Sequence, residues 1–208
     1  MGWSDLVGPR AQTFEDPFAE LTYQQLDQLR TIIRAKERLE TLGLSHEDRA
    51  KSEAKLAKAE AEIEQAGIDI DELLSQRWAT AERREAAATA ANPALDGEIV
   101  TLAGFAIPAP RDPDGTAVAY LVPEPGACSH MPPPNPNQMV RARLADDWTP
   151  SATHEPVRLT GRLSISPSAH VVRVVDGPVE MKTSFAMDVT RVQTLGDFRR
   201  AAGRGTEK

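Results

Sequence analysis

An α+β fold, a helical hairpin followed by a small antiparallel β-barrel, is what the sequence predicts. Three observations carry it. Residues 22–92 place Leu, Ile and Ala at helical spacing between capping residues. After Asn92-Pro93 the apolar residues alternate with polar ones, in short runs separated by Gly, Pro and Asp. Charge divides at the same place: residues 1–92 carry 12 basic and 18 acidic side chains, residues 93–208 carry 12 and 13. At 208 residues the chain is long enough to bury a real core, and with aromatics at only 5% that core is mainly aliphatic.

Residues 1–21 read as an extended anchoring segment. Trp3, Leu6, Val7, Phe14, Phe18 and Leu21 are spaced among Gly8, Pro9 and Pro17, and a disordered arm rarely carries so many large apolar residues. Thr22 with Gln25 forms a capping box. Leu26, Leu29, Ile32, Ile33, Leu39 and Leu42 follow at helical spacing, with Gly43 as the stop. Ser45 opens a second helix, whose apolar face is the weaker series Ala50, Ala54, Leu56, Ala57, Ala61 and Ile63, and Gly67 ends it. A third helix starts at Asp69, carries Leu73, Leu74 and Trp78, and runs through the alanines from Ala86 to Ala91. This charged half is either an antiparallel hairpin packed on its own domain or a coiled-coil-like partner surface. His46 on it is expected to be exposed.

The second half predicts strands over 97–107, 116–122, 138–144 and 157–165, then a hairpin of 171–175 and 179–189. Pro108 and Pro110 bound the first strand, and Asp112-Pro113-Asp114-Gly115 is a turn. Glycines inside strands, Gly104 and Gly161, mark bends or bulges. Such strands suggest a small closed barrel or sandwich, with a barrel of the oligonucleotide/oligosaccharide-binding (OB) type preferred. The domain reading is therefore an anchoring segment 1–21, a hairpin region 22–92, a barrel 93–195 with a loop at 123–138, and a flexible tail 196–208.

That loop holds the chemistry. It contains the single cysteine, Cys128, and His130, then Pro132, Pro133, Pro134, Asn135, Pro136, Asn137 and Gln138. Prolines at these positions donate no backbone hydrogen bond, so loop carbonyls need side-chain donors, and Asn135, Asn137 and Gln138 can supply them. In an extended chain Cys128 and His130 point to one side. A thiolate and an imidazole are two of the four ligands zinc prefers and also suit copper. His154, His170 or a carboxylate such as Glu124 would complete the set. The plainer reading is a buried Cys acting as a small hydrophobe, with the prolines, Asn135, Asn137 and Gln138 forming a partner-binding loop. A third is a Cys128 nucleophile with His130 as base, which needs an orienting group the sequence does not supply. Met131 and Met139 are expected to pack inward.

Composition excludes other classes. A net charge of −7 argues against nucleic acid, which requires a concentrated basic surface. One cysteine rules out an internal disulfide. No segment is apolar enough for a transmembrane helix, and Met1 to Val7 lacks the features of a signal peptide, so the chain reads as cytosolic or as a mature exported form.

Leu121-Val122-Pro123, Gly126-Ala127-Cys128-Ser129-His130 and the proline run to Gln138 resemble the signature of a bacterial family known as domain of unknown function number 3299. Trp3 to Leu6 is similar to the family's opening, and Gly97 to Pro108 to its first strand. The chain departs from the pattern at Glu124-Pro125, where the family tends to have an aromatic, and at Asn135, which interrupts the prolines. The resemblance implies export to the periplasm, often as a lipoprotein, and work beside ABC-type transport systems, some of them linked to metal supply. The expected function is a periplasmic, non-enzymatic accessory protein with a transporter or periplasmic binding protein as partner.

Overall fold

The computed structural model describes residues 1–11, 15–126, 133–144, 148–174 and 177–197. The chain is α+β and divides into two compact units, one of residues 1–13 with 85–208 and one of residues 14–84. The sequence placed these borders at 21/22 and 92/93. Buried anchors account for the difference. Leu6 is fully buried in the sheet's core, and the Trp3 indole N–H donates to the Ala103 carbonyl at 2.8 Å.

Residues 14–84 are helical. Helix α1 spans Tyr23–Leu39 behind the expected capping box, with the Gln25 amide donating to the Thr22 hydroxyl and the Thr22 amide to the Gln25 side chain. Helix α2 spans His46–Gln65, capped by Ser45, and α3 spans Ile70–Ser75, capped by Asp69. Gly43 and Gly67 take positive φ at the stops, which only glycine adopts without cost. Leu29, Ile32, Ala59, Ile63, Ile70 and Leu73 form the core.

Three expectations are corrected here. Ala50, Ala54, Ala57 and Ala61 are exposed, and the buried face of α2 is instead Ser52, Ala59 and Ile63. The larger Leu56 and Ile63 set the helix's rotation, since an alanine gains little from burial. Leu42 lies in the turn beyond α1 and is 98% exposed. The third helix is two: α3, then α4 at Arg77–Thr89. At the junction the Ser75 hydroxyl donates to the Glu72 carbonyl, competing with the helical ladder.

The other unit is built on five strands: β1 Ile99–Ala109, β2 Val118–Val122, β3 Val140–Arg143, β4 Glu155–Val174 and β5 Gly177–Thr194. Their pairings run in a closed circuit, β1-β2-β3-β5-β4 and back to β1. The sheet is not wholly antiparallel, because β3 runs parallel to β5. Geometry requires this: strand directions cannot alternate all the way round a ring with an odd number of members.

Prolines proved weaker stops than expected. β1 continues through Pro108, paired with Ala119. The two predicted segments 157–165 and 171–175 are one strand, β4, and Pro167 falls where its register with β5 shifts between Ile165 and Ser168. An irregular step absorbs the missing donor. Leu102, Leu121, Leu159, Leu163, Phe185 and Met187 lie in the main core; Tyr120, Met139 and Met181 lie in a second cluster.

Candidate functional site

The loop leaves β2 after Val122 and rejoins the sheet at β3. Its entry is exposed at Glu124, Pro125 and Gly126, with Gly126 at φ +107°. Its exit is anchored. Asn137 is only 2% exposed, and its amide donates to the Ala87 and Ala90 carbonyls at 2.8 and 3.0 Å. Gln138 donates to the Trp3 carbonyl at 2.9 Å. Asn137 and Gln138 are therefore donors, as expected, but to carbonyls of α4 and the N-terminal segment; Asn137 is not part of a partner-facing surface. Pro133 and Asn135 are exposed, and Pro134 is half-buried.

These bonds solve a local problem. The last carbonyls of α4 have no partner within the helix. Asn137 takes that of Ala87 and, with the Gly8 amide, that of Ala90 just past the helix, and the Ser184 hydroxyl donates to Thr89. A helix closed by Asn92-Pro93 without a capping glycine was the sequence's hint that donors had to come from elsewhere.

Cys128, His130 and Pro132, with Met131, lie outside the described residues. His154 is described and faces this loop. It is the only described residue other than glycine at positive φ, 63°. The turn before β4 is clasped by Glu155, whose carboxylate accepts from the Ser151 amide and hydroxyl at 2.6 and 2.8 Å. From there the His154 Nε2 accepts the Gly126 amide hydrogen at 3.4 Å. Burial lowers the affinity of His154 for a proton, favouring the neutral imidazole.

His170 sits elsewhere on the same strand. It is exposed, opposite Met181 and four residues before the end of β4, whereas His154 immediately precedes its start. Among the described residues no three His, Cys, Asp or Glu side chains cluster closely enough to hold a metal ion. Met139 is buried, as expected, and His46 is exposed.

The sequence reading missed a charged brace at the β1–β2 turn. Asp112 pairs with Arg141, both side chains about 15% exposed or less. Arg143 pairs with Asp114 at 2.7 Å. The Thr116 amide and hydroxyl hold the Asp114 carboxyl down to about 2, with Arg143 adding to them. Burial pushes the Tyr120 phenol upward beside this brace. Alternate positions Arg141 and Arg143 on β3, two strands from an Asp-Pro-Asp-Gly turn, were the available signal.

A family model described as a protein of unknown function (DUF3299) matches residues 3–194. The chain belongs to the DUF3299 family. The matched span of this DUF3299 protein runs from Trp3, whose indole anchors the N-terminal segment, to Thr194, the last residue of β5, and takes in the whole 123–138 loop. No curated protein matches the chain. A crystal structure of a DUF3299 family protein from Pseudomonas aeruginosa PAO1 is similar at 24% identity, over 53% of this chain and 72% of that one, with a TM-score of 0.40. Among the described residues, no helix is long and apolar enough to cross a membrane.

Proposed function

We propose that this protein is a periplasmic, non-enzymatic accessory protein of a transport system, binding zinc or copper through Cys128, His130 and His154. The observation that carries the metal reading is the contact between His154 and Gly126. Cys128 follows Gly126 by two residues, and two residues of chain reach at most about 7 Å. To ligate a metal, the neutral imidazole would exchange the hydrogen bond its Nε2 accepts from the Gly126 amide for a bond to the ion. His170 fits less well, being exposed near the other end of β4. The periplasmic and transport parts of the proposal rest on what the family resemblance implies.

The sheet supports a barrel of the OB type through its five strands and closed circuit of pairings. Binding of nucleic acid, familiar on such barrels, is disfavoured by the net charge of −7. A second reading, a metal-free module for protein contacts, is favoured by the anchoring of Asn137 and Gln138, which stiffens the loop without any metal.

Elemental analysis of untagged protein, with zinc and copper(I) titrations of the wild type, Cys128→Ser and His130→Ala, separates the two. One bound metal, lost in both variants, is the expected result. Equal responses in all three proteins would leave the metal-free module.

A further inference from the structure

Residues 14–84 carry 16 acidic and 11 basic side chains, yet one groove on them is basic. It lies between α1 and α2 and has a volume of about 380 Å³. Arg34 and Arg38 line it from α1, and Lys51 and Lys55 from α2, with Asp48 the one carboxylate in the lining. Its floor is made of the small residues Ala35 and Ser52, 7% and 6% exposed, so the bottom stays open between the long cationic side chains.

Local pairing offsets only two of the four cations. Arg38 meets Asp48 at 3.6 Å and Lys51 meets Glu47 at 2.6 Å, all four side chains being well exposed. Pairs of that kind contribute little. Arg34 and Lys55 have no carboxylate partner among the described residues. Like charges four residues apart on each helix repel one another. Bringing them together on an otherwise acidic surface makes sense if an anion lies between them.

We propose that this groove docks an acidic, amphipathic helix of a partner protein. Charge complementarity selects the acidic face. The spacing selects a helix: Arg34 with Arg38, and Lys51 with Lys55, repeat every four residues, about 6 Å along each axis, the spacing of Glu side chains on one helical face. The apolar component follows from Leu42, which is 98% exposed in the turn between α1 and α2, the two helices that line the groove. A leucine left in water in the turn between these two helices suits an occupant with both carboxylates and an apolar edge. The inference is independent of the metal reading, since no histidine is among the described residues lining the groove.

The test uses the full chain and a fluorescent synthetic helix of about four turns, with Glu along one face and Leu at its edge, followed by anisotropy. Arg34→Gln with Lys55→Gln should weaken binding about tenfold. Lys58→Gln with Arg83→Gln removes equal charge outside the groove and should change it less than about twofold. Leu42→Ser should weaken it severalfold, which a purely electrostatic ligand would not show. Inorganic polyphosphate serves as the competing anion. No binding of the peptide, equal losses in the two double variants, or an unchanged affinity in Leu42→Ser with polyphosphate binding more tightly would each overturn the proposal. Helical circular dichroism confirms that every variant is folded.

Discussion

The side-chain amide of Asn137 closes the C-terminal end of α4 by donating to Ala87, at 2.8 Å, and to Ala90. The first prediction follows from this contact. Asn137→Leu fills similar volume but takes a donor from two half-buried carbonyls, leaving Ala90 only the Gly8 amide. It should destabilise the protein by about 1–3 kcal/mol, read from urea unfolding midpoints. Asn135→Leu, at an exposed neighbour, should change stability much less. Similar losses in both would mean that the loop matters only as a whole.

Two strand glycines are fixed by close approach. A Cβ at Gly161 would lie 2.3 Å from the Asp188 carbonyl oxygen, and one at Gly104 would lie 2.5 Å from that of Val122. Backbone cannot yield as a side chain can. Gly161→Ala and Gly104→Ala should each cost about 1–3 kcal/mol. Gly2→Ala, with nothing nearer than 3.8 Å, should be nearly neutral. Thermal melting of the three variants decides the matter, and tolerance at Gly161 would refute the packing described.

Thr80 gives a prediction of the opposite sign. Its hydroxyl is buried, with no hydrogen-bond partner among the described residues. Thr80→Val keeps the shape and removes the unsatisfied group, so it should stabilise by about 1 kcal/mol. A loss of stability would show that the hydroxyl has a partner after all.

These positions show where sequence was informative. Local rules acted as written at Thr22 with Gln25, at Ser45, at Gly43 and Gly67, and in the Asp112 to Gly115 turn, because each depends on a few adjacent residues. Gly161 was legible as an irregularity for the same reason, whereas the register of β1 with β4 runs unbroken through Gly104. Pro108 misled because a strand's tolerance of proline depends on its neighbour across the sheet. The roles of Asn137 and His154 were hidden for a related reason. One caps a helix that ends 48 residues earlier, at Thr89, and the other turns to a glycine 28 residues away. Polarity and spacing could nominate both residues as candidates, but not say what each would touch.

His154 also makes stability depend on pH. Burial holds its proton affinity below the ordinary value, so the folded chain binds that proton more weakly than the unfolded chain does. Stability should therefore fall as pH drops from about 6.5 toward the lower folded value, and be unaffected by this residue at higher pH. His154→Asn tolerates the same positive φ and removes the titration. Urea midpoints at pH 7.5 and 5.5 should differ less in the variant than in the wild type. An unchanged difference would assign the pH dependence to other groups.

The central claim is that His154 completes a site with Cys128 and His130. Bound zinc and copper, measured for wild type, His154→Ala and His170→Ala under identical loading, test it most directly. Metal at a hundredfold excess over its dissociation constant should also stabilise the wild type by about 2.7 kcal/mol. The account predicts that His154→Ala loses both the metal and the stabilisation, while His170→Ala keeps them. Full binding by His154→Ala, or no binding by the wild type, would contradict it.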